Sequence, residues 1–308
     1  MAGHREEGMR FQAVLNRDGG TLRTIDLDAF GERMRGLLDD AGHSVDIDIV
    51  GGGEVAASLE RAVARRGVDV VLAGGGDGTV STAAARLMGR KKALAILPAG
   101  TMNLFARGLG IPQTLDGAVG AFATGKVRAV DVASANGRPF VHQFSIGMHA
   151  KMVRLREKMD FGSRLGKIRA SARAAWMTLR NPPALDAVLR IGEAEVTART
   201  TGIGITNNLF GEGHLPYADD PAGGVLGIYV NVASQPGELV RHAFNMARGR
   251  WRDNQHVEIH QSERVVLAVR GRRRPRAVMD GELVSLEPET VFEIHPGALN
   301  VLVPAPPA

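Results

Sequence analysis

Apolar positions change their spacing near the middle of the chain. From Met9 to about Val130, short aliphatic runs alternate with stretches whose apolar residues recur every three or four positions. The runs Phe11–Leu15, Val45–Val50, Val68–Ala73 and Leu94–Leu97 predict buried strands, and Leu27–Leu38 and Glu54–Arg65 predict helices. Strand and helix in alternation predict a parallel sheet covered by helices. From about Asp131 the texture becomes one of short alternating segments. Val188–Ile191, Glu195–Thr200, Gly202–Asn207, Leu226–Val232, Val257–His260, Val265–Val269 and Ala277–Val284 are separated by turn residues, which predicts an antiparallel β-sandwich. Lys151–Arg180 interrupts it with helical spacing. Two domains are expected, an α/β domain over 9–130 and a sandwich over 131–297.

Composition narrows the chemistry. The 308 residues include no cysteine, which excludes disulfide scaffolds, thiol nucleophiles and cysteine-held metals. With 44% hydrophobic and 23% charged residues the chain is globular. The opening MAGHREEGMR has no apolar stretch of signal-peptide type, and no apolar run approaches the ~18–20 residues of a membrane span. The expected location is the cytoplasm, peripheral to the inner membrane face. The 39 glycines exceed the usual share, and they cluster where backbone must approach a ligand.

Val68–Ala73 runs directly into Gly74, Gly75, Gly76, Asp77, Gly78 and Thr79, followed by a helix-like Val80–Met88. A strand, a glycine turn and a helix start make an anion site, because backbone N–H groups and the helix dipole face the ligand. Thr79 suits the helix cap. Asp77 inside such a loop calls for a divalent cation between it and phosphate; the alternative is that Asp77 only caps a helix. A second strand and turn, Ala93–Leu97 followed by Pro98–Arg107, offers Gly100, Thr101 and Asn103, and Asn16–Gly20 follows the first strand. Adjacent parallel strands would bring these turns to one rim.

Gly74–Thr79, Leu97–Arg107 and then Met279-Asp280-Gly281-Glu282, in that order, resemble the diacylglycerol kinase catalytic-domain family, which includes bacterial soluble lipid kinases and sphingoid-base kinases. The resemblance runs from about Phe11 to Val303. It implies an N-terminal domain like that of NAD kinases and phosphofructokinases, a C-terminal β-sandwich, ATP with Mg²⁺, and transfer of the γ-phosphate to a lipid hydroxyl, that of diacylglycerol first. It implies nucleotide contacts from Asn16, Gly74, Gly75, Gly76, Asp77, Gly78, Thr79, Thr101 and Asn103. Mg²⁺ would be held through water by Asp77 and Asp131, and proton abstraction falls to Asp280 and Glu282, which two-residue spacing would put on one strand face. A final strand near 298–303 would return to the first domain. The chain departs from the family pattern at Leu104, where an acid is usual. It departs again at Gly223 and Gly227, where two acids usually carry a structural Mg²⁺ site; Asp219 and Asp220 are the nearest substitutes.

Lys151–Arg180 carries nine Lys or Arg against two acids, interleaved with apolar residues, which suits an anionic lipid surface or a helix with a solvated basic face. Arg270–Arg276 reads as a basic turn beside lipid or ATP phosphates and not as a nucleic-acid surface, since only 5% of residues are aromatic. His256, Glu258 and His260 share one strand face, as metal ligands or as a solvated edge. An NAD-kinase-like enzyme and a catalytically weak lipid or nucleotide sensor are the alternative functions. Monomer and homodimer are both open.

Overall fold

The structure is a computed structural model that describes residues 8–158, 164–213, 215–233, 235–249, 254–271 and 275–305. Met159–Phe161, within the expected basic helix, and Arg272–Arg274, within the expected basic turn, lie outside the described residues. The chain divides into two compact units, Met1–Val132 with Pro296–Ala308, and Ala133–His295.

The first unit contains β1 (Arg10–Asn16), α1 (Leu27–Asp39), β2 (Ser44–Val50), α2 (Val55–Ala64), β3 (Val70–Gly75), α3 (Asp77–Leu87), β4 (Ala93–Pro98), α4 (Leu104–Gly108), α5 (Leu115–Ala123) and the start of β5 (Lys126–Ala135). Strands pair in parallel in the order β2-β1-β3-β4, with Leu15 opposite Gly74 and Gly74 opposite Leu97. Every residue of β3 and β4 is buried, as expected for parallel strands covered on both faces. Phe30 of α1 and Phe122 of α5 close the core. Asp26 caps α1 by accepting the Asp28 and Ala29 N–H groups, both at 3.1 Å.

The second unit adds β6 (Arg138–Phe140), β7 (Gln143–Gly147), α6 (Met148–Glu157), α7 (Arg164–Arg180), β8 (Leu185–Ile191), β9 (Ala194–Thr200), β10 (Gly202–Asn207), β11 (Leu226–Asn231), α8 (Pro236–Ala247), β12 (Val257–Ser262), β13 (Arg264–Arg270), β14 (Arg276–Met279), β15 (Glu282–Ser285) and the first part of β16 (Glu289–Val303). The six strands β12-β11-β10-β7-β14-β15 form one antiparallel sheet. The strands β16-β13-β8-β9 form its partner. Phe144, Ile146, Ile203, Ile205, Ile228 and Val230 on the first sheet share a core with Leu189, Leu267 and Phe292 on the second, which makes a β-sandwich. The end of β16 belongs to the first unit, where Val301 pairs in parallel with Leu94 of β4.

The apolar pattern left α5, β5, β6, β7 and α8 unassigned. It also read Ala277–Val284 as one strand. The structure breaks that run into β14 and β15 at Asp280 and Gly281, whose φ angles are 47° and 90°. These are the two positive-φ positions of a type I′ hairpin turn, and Asp-Gly is a preferred sequence for it. Asp280 and Glu282 therefore do not share one strand face; the first sits in the turn and the second opens β15 opposite Met279.

Candidate functional site

In the first unit three loops meet at the C-terminal ends of β1, β3 and β4. Asn16 donates its amide to Thr79 Oγ1 at 3.4 Å, joining the first loop to the second. The Thr21 N–H donates to the Ala99 carbonyl at 2.8 Å, joining the first to the third. A Cβ on Gly100 would lie 2.8 Å from the Gly76 Cα and 2.7 Å from Asn103 Oδ1. The second and third loops thus touch backbone to backbone, and only glycine fits at the contact.

Gly74 and Gly75 lie in β3, not in the turn, and none of Gly74, Gly75, Gly76 and Gly78 has a positive φ. Their smallness serves close packing: a Cβ on Gly74 would press on Leu15, and one on Gly75 would meet the Thr79 side chain. α3 begins at Asp77 with Gly76 as its N-cap and no side-chain cap, so Thr79 does not cap the helix and instead packs, buried, inside its first turn. Thr101 is exposed and caps nothing; the cap position of α4 is Asn103, left-handed at φ 49°. Asn103 donates its amide to the Gly100 carbonyl at 3.1 Å.

Asp77 is a clamp between loops. One carboxylate oxygen accepts the Leu104 N–H at 2.8 Å and the other the Asn103 N–H at 3.2 Å. Position 104 contributes through its backbone, which leucine supplies as well as an acid would. The uncapped start of an eleven-residue helix beside glycine backbone fits phosphate oxygens. A divalent cation fits beside Asp77 when phosphate supplies further ligands, the usual way Mg²⁺ is held. Among the described residues no group of three His, Asp or Glu could hold a metal by itself. Asp131 is 1% exposed and accepts the Gly297 N–H at 2.9 Å, within the first unit. Asp219 and Asp220 are exposed, and Asp220 accepts the Ala222 N–H at 3.0 Å. His260 lies on β12, the edge of its sheet, 3.8 Å from the Glu258 carboxylate.

In the second unit the Asp280 carboxylate accepts three backbone N–H groups, from Val141 at 2.9 Å, His142 at 3.0 Å and Gln143 at 3.1 Å. It fixes the entry to β7 from the tip of the β14–β15 hairpin. Glu282 is exposed at the start of β15.

Sequence reasoning missed a cavity of about 500 Å³ on the outer face of the six-stranded sheet, inside the second unit. Strand alternation builds it. Ile146, Ile203 and Val230 lie in the sandwich core, while their neighbours Ser145, Gly204 and Tyr229 line the cavity. Helices α6, α7 and α8 supply Met152, Leu179 and Leu239 to the wall. Its volume falls in the ~300–1,000 Å³ range of small-molecule sites. His149 also lines it and meets Ser145 Oγ through Nδ1 at 2.6 Å. Burial, with the Arg156 charge as a lesser cause, pushes the His149 pKa down to about 4, so the ring is neutral near pH 7. The available signal was Gly202 and Gly204 alternating with Ile203 and Ile205.

Comparison with known proteins agrees with this architecture. Residues 10–135 match the diacylglycerol kinase catalytic domain, and residues 143–303 match the YegS C-terminal NAD kinase beta sandwich-like domain. The chain belongs to the diacylglycerol kinase catalytic-domain family, in its form with a YegS-type second domain. An uncharacterized protein of Synechocystis sp. is 29% identical over 77% of this chain and 55% of its own length. A protein of Enterobacter sp. named "Probable lipid kinase YegS-like" is 42% identical over 28% of this chain and 30% of its own length. The aligned stretches thus span about half or less of those relatives. Two Bacillus anthracis crystal structures share the fold, with TM-scores of 0.79 and 0.69 at 19% and 17% identity, each covering 98% of both chains. The second is described as a diacylglycerol kinase. Among the described residues no helix is long and apolar enough to cross a membrane.

Proposed function

We propose that this chain transfers the γ-phosphate of ATP to the hydroxyl of an uncharged membrane lipid, with diacylglycerol as the first candidate. The observation that carries the reading is the apolar cavity beside the Asp280 hairpin. Asp280 bonds the backbone of Gln143, and the Gln143 side chain lines that cavity. A lipid seated there would lie beside the hairpin that carries Asp280 and Glu282, the acids that the family resemblance assigns to proton transfer. NAD, a charged dinucleotide, would not suit such walls.

In this reading Asn16, the glycines 74–76 and 78, Thr79, Thr101 and Asn103 form the nucleotide rim, and the α3 N-terminus faces phosphate. Mg²⁺ beside Asp77, with Asp131 holding the water network, would neutralise charge on the transferred group. Asp280, with its carboxylate engaged by three N–H groups, orients the hairpin. Glu282, exposed on the same hairpin, takes the proton from the attacking hydroxyl. The enzyme works at a lipid surface. Trp176 and Met177 of α7 and Val240 and Phe244 of α8 are exposed, and Arg180 and Arg248 lie 4.8 Å and 4.5 Å from the Trp176 and Phe244 rings. Aromatic rings beside guanidinium groups suit the interface of an anionic membrane.

The test is incubation of the full chain with radiolabelled ATP, Mg²⁺ and dispersed lipids, followed by mass spectrometry of the extract. Phosphatidic acid from dioleoylglycerol is expected. Absence of product from every neutral lipid hydroxyl overturns the reading, and product from NAD alone would replace it with the NAD-kinase alternative.

A further inference from the structure

The cavity wall is apolar except for a few groups, and most of those are already committed. Thr178 donates its hydroxyl to the Ala174 carbonyl at 2.8 Å, and Thr206 to the Asn208 carbonyl at 2.6 Å. The Tyr229 oxygen accepts the Phe210 N–H at 2.8 Å. Asn231 Oδ1 accepts the Ala233 N–H at 3.0 Å. All four serve local backbone.

Gln143, Ser145 and His149 are different, because they bond side chain to side chain. Gln143 and Ser145 lie on the cavity face of β7, two residues apart. Gly147, with φ 81°, turns the chain from β7 into α6 and brings His149 back over Ser145. His149 Nδ1 is 2.6 Å from Ser145 Oγ and 3.4 Å from the Gln143 amide nitrogen. With a hydroxyl and an amide donor both directed at Nδ1, that nitrogen is the acceptor and the ring proton resides on Nε2. The ring is then a neutral donor held in fixed orientation at the wall of an apolar chamber.

We propose that His149, oriented by Ser145 and Gln143, is the polar anchor of this cavity and donates its Nε2–H to a carbonyl or hydroxyl oxygen of an uncharged lipid. Among the described residues no Asp or Glu lines the cavity. A lipid ammonium drawn in as far as His149 would lose its hydration against a neutral ring, with no carboxylate beside it, which favours acylglycerols over sphingoid bases. The anchor holds substrate and takes no part in phosphate transfer. The inference rests on the lipid-kinase reading above for the identity of the substrate, and binding is therefore measured apart from turnover.

The experiment titrates dioctanoylglycerol and sphingosine into the full chain without ATP, by calorimetry. It compares the wild type with His149→Leu and Ser145→Ala, and records phosphate transfer to each lipid separately. The wild type should bind dioctanoylglycerol at least about tenfold more tightly than sphingosine. Loss of one hydrogen bond in an apolar site should weaken dioctanoylglycerol about tenfold in His149→Leu, raising KM with kcat little changed. Ser145→Ala, a smaller change that frees the ring to rotate, should weaken it several-fold, and it decides the matter if His149→Leu does not fold by circular dichroism. Equal affinity for the two lipids in the wild type, or unchanged affinity in the folded variants, overturns the anchor. Binding that depends on His149 without any phosphate transfer upholds the anchor and overturns the kinase reading.

Discussion

The two candidate ligand regions of this protein are built from opposite materials. In the first unit the rim is made of backbone: Gly76 and Gly100 meet with no side chain between them, and Asp77 bonds the main chain of Asn103 and Leu104. In the second unit the cavity is made of side chains that alternate off a sheet, with α6, α7 and α8 over it. The difference decides what a substitution does. A backbone rim tolerates no added atom but is indifferent to a neighbour such as Leu104. A side-chain cavity keeps its fold when lined differently and changes only what fits inside.

The largest effect that could break this contrast is expected from the hairpin. Glu282→Gln should lower kcat by about 10²–10⁴-fold, the usual worth of a general base, with melting temperature unchanged. Asp280→Asn should instead destabilise the second unit by about 1–3 kcal/mol, because an amide cannot satisfy the three N–H donors as the carboxylate does. Asparagine tolerates the left-handed turn, so backbone strain does not confuse the result. Steady-state kinetics beside thermal denaturation separate the two roles. A stable Asp280→Asn enzyme with turnover lost would make Asp280 the base in place of Glu282.

Next comes the rim. Gly100→Val puts carbon against the Gly76 Cα and should cost about 1–3 kcal/mol by overpacking. It should also abolish the stabilisation that ATP gives in a thermal-shift titration. Leu104→Ala, two loops' worth of backbone left intact, should bind ATP normally. Retained ATP binding in Gly100→Val would break the claim that the rim is made by backbone contact.

These cases also show how much was legible. The string Gly74–Thr79 advertised itself because close backbone packing removes side chains, and removal is visible as glycine. The turn sits later than the string suggests: Gly74 and Gly75 pack tightly inside β3, and none of the four glycines has a positive φ. At Asp280 the apolar alternation of Ala277–Val284 outweighed the local Asp-Gly turn signal, and two acids were placed on one face. Gln143, Ser145 and His149 left no motif, since a strand, a positive-φ glycine and the start of a helix assemble them, and that geometry has no fixed spacing in sequence. Helices α7 and α8 cover the cavity through contacts that are not local in the chain.

The cavity itself can be closed without touching the fold. A Cβ on Gly204 would meet only the Tyr229 Cβ, at 4.0 Å, so the position faces open space. Gly204→Val suits a strand and fills part of the chamber. It should raise the KM for dioctanoylglycerol about tenfold or more, leave ATP binding unchanged, and keep or raise the melting temperature. A lost fold would show that the glycine serves sheet packing and not ligand space.

The smallest expected effect is one of pH on stability, and it tests whether the cavity is as dry as its lining suggests. Above about pH 6.5 His149 is neutral both folded and unfolded, so it contributes no pH dependence. Below that pH the unfolded chain takes up a proton that the folded chain refuses until about pH 4, because burial and, to a lesser degree, Arg156 disfavour the charged ring. Stability should therefore fall between pH 6.5 and pH 4, by about 2 kcal/mol at pH 5 and about 3 kcal/mol below pH 4. Urea unfolding at pH 7 and pH 5, compared between wild type and His149→Gln, isolates this ring from every other titrating group. The variant should lose about 2 kcal/mol less than the wild type across that interval. An equal loss in both would mean that water reaches the ring freely, and the chamber would then resemble the solvated rim of the first unit more than a lipid site.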